Sequence, residues 1–272
     1  MTSSGGNSRA REQQRQAVKD VEALGAHLAR FPYLGLAHPV GRRIRDLVGR
    51  APKVTLETAL WYRARVPDGP ERRRAAEMGP PPANWSEGRF NHHGQTVFYL
   101  ASSAEGACAE TAPCPEGILW VQRFRVQRLA GLLDLAGVAG TRVQRRSGSP
   151  LLTAGLNAVM DRLRPDPASP WKPEYFVPRF VADAARAAGF RGILYCSTRF
   201  DGYNAVLFEW MRREIRPEGR PEILEFGAGS GPSSAIRDTG RGGAVRTDPP
   251  HLGRAAPRRR SAREPAPQAR SE

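Results

Sequence analysis

Residues 87–111 read EGRFNHHGQTVFYLASSAEGACAET, and the reading of the whole chain turns on them. Arg89, Phe90, Asn91 and Gly94 stand before an apolar run, TVFYLAS at 96–102, whose β-branched and aromatic residues predict a strand. Residues 103–111 then read as a short helix with Glu110 at its end. Two interpretations fit the stretch alone. It is a hairpin and a helix, or it is a site where Arg89, Tyr99 and Glu110 gather around a small anion.

The flanks supply the context. ALWYRARV (59–66), GILWVQRFRV (117–126), LLDL (132–135), GILYC (192–196) and NAVLFEW (204–210) are further predicted strands. LLTAGLNAVMDRL (151–163) and YFVPRFVADAARAAG (175–189) read as helices, and Pro178 is expected to break or kink the second. Strands dominate without a regular βαβ rhythm, so the expected class is α+β. The loop following Val66, dense in Pro, Gly and charge through 67–86, is long enough to cover a site.

At the N-terminus, residues 1–10 are small and polar and are expected to be disordered. Val18, Val21, Leu24, Leu28 and Phe31 then fall at steps of three and four, one stripe on a helix that Pro32 ends. This stripe is expected to dock on the main domain, as part of a helical extension over 11–57. The catalytic domain is placed at 58–216. Beyond Pro217 the composition turns to Gly, Pro, Arg and Ser, which predicts a disordered low-complexity tail over 217–272.

The formal net charge of +15 would ordinarily suggest nucleic acid or an anionic surface as partner. Yet there are only three lysines, Lys19, Lys53 and Lys172, and the charge is spread along the chain without a basic arm. The excess reads as a bias towards Arg, Ala, Gly and Pro, and nucleic acid is not expected. The first residues lack the apolar core of a secretion signal, and no apolar run approaches a membrane span, so a cytoplasmic protein is expected. Cys108, Cys114 and Cys196 do not suggest a disulfide framework.

EILEFGAGSG (222–231) resembles the first motif of Rossmann-like methyltransferases that bind S-adenosylmethionine. Only 41 residues follow Gly231, with no strand–helix units to complete such a sheet, so no methyltransferase site is expected. His92 and His93 are adjacent and lack a Cys or carboxylate pattern with ligand spacing, so no metal site is expected either.

The opening stretch has company that these strings lack. Gly88, Arg89, Phe90, Asn91 and Gly94, then Tyr99 in VFYLA, then Glu110 in CAET resemble the pattern of the RES domain. Upstream, LWYRAR resembles the strand that begins these domains. Downstream, ILYCSTRFDGYNAVLF resembles the strand end that carries their serine, here Ser197. The resemblance spans about residues 58–212.

It implies an ADP-ribosyltransferase-like fold with a split β-sheet core, and an enzyme that degrades NAD+. Such proteins are toxins of bacterial toxin–antitoxin pairs that cleave the nicotinamide–ribose bond, by hydrolysis or by transfer to phosphate. A separate protein antitoxin is the expected partner; NAD+ is expected as substrate, with no prosthetic group. Arg89 would grip the pyrophosphate, helped by Arg63 or Arg65, because the guanidinium fork matches phosphate oxygens. Tyr99 offers a face to the cationic nicotinamide ring. Glu110 would stabilise the oxocarbenium-like ribose, hydrogen-bond its hydroxyls or orient the acceptor. Ser197 would hydrogen-bond the nicotinamide or ribose, and it is not a nucleophile because no His/Asp pair activates it. Asn91 and Asn204 would support the loop or touch the ligand. Two rivals stand beside this reading: transfer of ADP-ribose to a macromolecule, and a non-enzymatic arginine-rich binding module for nucleic acid or protein.

Overall fold

Strands β1 (Lys53–Leu56), β2 (Ala59–Arg65), β3 (Phe98–Ala101), β4 (Gly117–Val126) and β5 (Leu129–Asp134) come from the first half of the chain. β6 (Gly192–Cys196), β7 (Tyr203–Leu207), β8 (Ile215–Phe226) and β9 (Leu252–Arg254) follow. Helices α1 (Ser4–Arg30), α2 (Pro39–Arg50), α3 (Ala104–Thr111) and α4 (Phe176–Ala187) are interspersed among them. The computed structural model describes residues 4–67, 75–81, 87–111, 117–136, 155–157, 159–160, 172–226 and 252–254.

The strands run in the order β8-β4-β2-β3-β7-β6-β5-β1-β9. Every neighbouring pair is antiparallel except β5 and β6. β2 pairs with β4 along its whole length, from Ala59↔Val126 to Arg65↔Trp120. On its other side it meets β3 through one pair alone, Tyr62↔Ala101. The sheet therefore splits there, into β8-β4-β2 and a larger half that begins at β3.

The two halves share a core. Trp61, Trp120, Phe124 and Ile215 from the smaller half meet Phe98, Leu100, Leu194 and Leu207 from the larger. The rings of Phe98 and Phe124 stand edge to face at 5.0 Å. The opposite face of the larger half, through Ile193, Tyr195 and Val206, is covered by α1, α2 and α4. α3 lies instead on the outer face of the smaller half, where Ala107 and Cys108 pack with Ala64, Leu119 and Val121. The expected α+β class with a split sheet is the one found.

The N-terminal stripe docks at home. Val21, Leu24 and Leu28 are fully buried against α4 and the sheet, each worth roughly 1.5–3 kcal/mol of apolar burial. Phe31, expected in the same stripe, is half exposed past the end of the helix. Residues 4–10, expected to be disordered, form the first turns of α1. The extension also holds more than one helix and contributes to the sheet. α2 begins at Pro39 after His38, whose side chain accepts the Val40 N–H at 3.3 Å, and it buries Val40, Ile44 and Val48 at helical spacing. β1 pairs with β5.

Two expectations based on proline are corrected. Pro178 does not break a helix, because it lies in the first turn of α4, where no backbone N–H needs an intrahelical acceptor. The boundary at 216 also fails, since β8 carries the sheet on to Phe226. β8 is an edge strand, where Pro217 and Pro221 are tolerated. The methyltransferase-like string thus starts as a β-strand, with Glu222 to Phe226 paired against Val121 to Gly117. Its glycines, the remainder of the expected tail apart from β9, and most of the expected helix 151–163 lie outside the described residues. Within that helix, 155–157 and 159–160 are helical, with Leu156 and Met160 buried. Of the covering loop, residues 75–81 are described, and Met78 there is buried in the core between the half-sheets. No helix among the described residues is long and apolar enough to cross a membrane.

The loop before β8 is fixed by a fork. Arg191 donates from Nη1 and Nη2 to the two oxygens of Glu214 at 2.8 and 2.6 Å, and the Met211 N–H adds a third bond at 2.8 Å. The Arg191 hydrogen bonds hold the Glu214 carboxyl below its ordinary value of 4.5. A depressed carboxyl contributes stability that is full above the unfolded value and disappears as pH falls through the folded one. Glu214→Gln should therefore lower the melting temperature at pH 7, and its gap from the unmodified chain should close below about pH 4.5. Thermal melts across pH 3 to 7 measure this, and a gap that does not change with pH rejects it.

Candidate active site

Glu110 occupies the break in the sheet because α3 is placed there by short-range bonds. Ser103 begins the helix, its Oγ accepting the Gly106 N–H at 3.0 Å. Thr111 ends it, its hydroxyl 2.8 Å from the Ala107 carbonyl and 3.4 Å from the carbonyl of Ala64 on β2. From this position Glu110 reaches across to the other half-sheet. Its Oε1 accepts from Ser197 Oγ, just past β6, and from Asn204 Nδ2 on β7, both at 2.7 Å.

Ser197 has no capacity to spare. Besides donating to Glu110, its Oγ accepts the N–H groups of Arg199 at 3.1 Å and Phe200 at 3.0 Å, closing a serine turn.

Arg89 is carried by a tight loop. The Gly88 N–H donates to the Asn91 carbonyl at 3.2 Å. Tyr99 braces the turn from below: its hydroxyl accepts the Phe90 N–H at 2.9 Å and donates to Asn91 Oδ1 at 3.0 Å. A β-carbon on Gly88 would collide with Asn91 Oδ1 and lie 2.7 Å from the Tyr99 hydroxyl. Gly94, at φ 85°, makes the next turn, where Gln95 accepts the His92 N–H at 2.9 Å. Arg89 then points into the cleft, with Nη2 3.2 Å from Thr198 Oγ1 and its guanidinium 5.9 Å from the Tyr195 ring centroid. Its Nη1 is buried and has no partner among the described residues.

A second guanidinium arrives from β2. Arg63 donates from Nη1 to the Tyr99 carbonyl at 3.2 Å, while its Nε is buried without a partner among the described residues. Burial first, and then the charge of Arg65, push Arg63 down to about 9. It remains charged at neutral pH but is poorly solvated, the condition in which an anion is most strongly favoured. The phenols add no charge. Burial pushes Tyr99 up to about 12, and it raises Tyr175 and Tyr195 as well.

The result is a cleft of about 270 Å³ at the split, lined by Arg63, Arg89 and Arg199 against one carboxylate, Glu110, with tyrosines between. Its volume is at the small end of small-molecule sites. Its charge favours an anion, and its fixed acid faces whatever is held there.

A family model described as the RES domain matches residues 60–226. The chain belongs to the RES family. Its match reaches beyond the 58–212 suggested by the motifs and takes in all of β8. A solved structure similar to this chain is the MbcT–MbcA toxin–antitoxin complex of M. tuberculosis, at 18% identity and a TM-score of 0.41, covering 67% of this chain and 91% of that one. No curated protein matches the sequence.

Within the RES domain, five of the residues expected at the site line one cleft: Arg63, Arg89, Tyr99, Glu110 and Asn204. Three do not. Ser197 stands behind Glu110 and orients it. Asn91 is buried in the loop as a brace. Arg65 shares a face of β2 with Arg63 but, two residues further along, spends its guanidinium on the carbonyl of Gly79 at 2.7 Å. His92 is 2.8 Å from Asp183 on α4 and is absent from the cleft lining. No group of three His, Cys, Asp or Glu that could hold a metal occurs among the described residues. Tyr62, Tyr175, Tyr195, Thr198 and Arg199 line the RES cleft without having been expected there. The nearest signal was their adjacency to named residues, Tyr195 and Thr198 flanking Cys196–Ser197, and Tyr62 preceding Arg63.

The packing around Gly88 yields a test free of any assumption about substrate. Gly88→Ala should cost about 1–3 kcal/mol, as overpacking does, and should speed amide exchange at Phe90 by dislodging the Tyr99 hydroxyl. Denaturant melts and hydrogen exchange measure both, and an unperturbed loop would contradict the close packing.

Proposed function

We propose that this RES protein is an NAD+-degrading enzyme that cleaves the nicotinamide–ribose bond, acting as the toxin of a pair with a separate protein antitoxin. The observation that carries the proposal is the opposition of an anchored carboxylate, Glu110, to two partly unsatisfied guanidinium groups, Arg63 and Arg89, in one cleft. Family membership supports NAD+ as the substrate class. The toxin role and the antitoxin partner are likewise proposed from membership of the RES family.

In this reading Arg89 and Arg63 bind the pyrophosphate, and their unpartnered N–H groups take its oxygens. The C1′–N bond of the nicotinamide riboside breaks with its electron pair going to the pyridine nitrogen, so neutral nicotinamide leaves. Positive character develops on the ribose C1′ and ring oxygen. Glu110 offers Oε2 to that charge or to a ribose hydroxyl, because Oε1 is already committed to Ser197 and Asn204. Water then attacks C1′ and loses a proton, giving ADP-ribose, or inorganic phosphate attacks and gives the 1″-phosphate. Tyr99 and Tyr195 provide the aromatic walls for the ring.

Purified protein should release nicotinamide from NAD+, with or without added phosphate; Glu110→Gln should lower kcat about 10²-fold or more, and Arg89→Ala should lower kcat/KM by about the same factor, through KM. Chromatography of the products measures release and distinguishes ADP-ribose from its phosphorylated form. No release under either condition overturns the enzyme reading, full activity of both variants overturns the site, and labelled NAD+ appearing on a macromolecule redirects the reaction to transfer.

A further inference from the structure

α4 presents Arg179, Asp183 and Arg186 along one face, toward the loop that carries Arg89. Asp183 holds His92 at 2.8 Å, and Arg186 reaches the Phe90 carbonyl at 3.5 Å while stacking on Phe208 at 3.8 Å. Arg179 is the unusual member. Its side chain is 3% exposed, yet its ionic partner Glu87, 2.7 Å away, is 42% exposed. The pair is lopsided, one charge desolvated and the other in water, and Arg179 Nη2 is buried without a partner among the described residues. A buried charge of this kind is a poor source of stability and is often replaceable by an apolar side chain. Its placement calls for another explanation.

The geometry supplies one. Arg179 Nε donates to the Gly88 carbonyl at 3.0 Å, the backbone group immediately before Arg89. The same guanidinium lies 5.5 Å from the ring centroid of Tyr175, which lines the cleft on another side. One rigid, planar cation therefore fixes two walls: the backbone from which Arg89 extends, and an aromatic face beside it.

We propose that Arg179 is a positioning residue that sets Arg89 for anion binding through Gly88 and fixes Tyr175 against the cleft. It touches no substrate; its effect passes through those two groups. The proposal rests on the NAD+ reading for the ligand, but the clamp itself does not depend on it. Loss of the clamp weakens the grip on the pyrophosphate, which is made in ground and transition states alike, so it acts on KM and leaves kcat largely intact.

The test uses the full chain carrying Arg179→Met, Arg179→Lys or Glu87→Gln. Arg179→Met should raise KM for NAD+ about tenfold, in line with the cost of small misplacements at a site, with kcat within about twofold. Arg179→Lys should recover part of this, since it restores charge without the planar fork. Glu87→Gln should change KM less than about twofold, because the Gly88 and Tyr175 contacts persist. In ligand-free protein, Arg179→Met should accelerate amide exchange at Phe90 and His92, a readout that needs no turnover. Unchanged exchange there overturns the clamp even if NAD+ is consumed. A fall in kcat at constant KM overturns the role in the grip. Absence of NAD+ turnover in the unmodified chain overturns the functional reading instead, and leaves the exchange experiment to decide the clamp.

Discussion

The carboxylate of Glu110 stands where the sheet gives up its own backbone pairing. β2 and β3 meet through Tyr62↔Ala101 alone, and past that pair the two half-sheets need another bond across the gap. α3 is fastened to β2 and β4, and its acid accepts from Ser197 and Asn204 on the β6–β7 side. The interaction is therefore structural and chemical at once. It spans the split with two charge-assisted hydrogen bonds, and it fixes one oxygen so that the other has a defined direction. The acid at the base of the cleft thus stands at the split of its own sheet.

The cleft's electrostatics follow from the same break. Arg63 comes from a strand that faces a hydrophobic core, so it is desolvated; Arg89 comes from a loop pressed against Tyr99 and Tyr195. Among the described residues, neither guanidinium has a carboxylate partner of its own. Their fixed donors go to a backbone carbonyl and a hydroxyl, Tyr99 O and Thr198 Oγ1. Neutral acceptors orient a cation without cancelling its charge, which leaves the field available to a ligand. Surrounding phenols, kept neutral by burial, add aromatic surface without opposing that field.

Much of this was legible in the order of residues, and what was not had definable causes. Alternating apolar runs located β2, β3, β4, β6 and β7, because each is buried on at least one face. Arg89, Tyr99 and Glu110 were visible as a set through the resemblance to the RES pattern, in which a loop, strand and helix follow in quick succession. Spacing does not reveal what a hydroxyl does, however. Ser197 binds Glu110 rather than lining the cleft, and only the turn at 197–200 shows that its lone pairs are spent. Arg65 shares its strand and its face with Arg63, but the carbonyl of Gly79, on a segment no strand pattern predicts, takes its guanidinium. β8 was misread because Pro, Gly and Arg are a tail's composition and also an edge strand's. α2 was missed because its four arginines obscure a buried stripe of Val40, Ile44 and Val48. Tyr175 and Arg179 come from α4 and the turn before it, about ninety residues further along the chain than Arg89, a meeting that no local pattern announces.

The N-terminal extension belongs to this logic although the family match begins at residue 60. α1 and α2 bury Val21, Leu24, Leu28, Ile44 and Val48 against the layer that contains Val177, Val181 and Ala185 of α4. The other side of α4 holds the Arg89 loop. A helix of 12 residues is marginal by itself in water, so its position depends on what lies behind it. β1 adds a second dependence, since it pairs with β5 and continues the sheet outward. The extension thus supplies support on two sides of the larger half-sheet. The packed unit consequently begins before the matched domain, and the layer beneath the Arg89 loop rests partly on residues more than forty positions upstream of it.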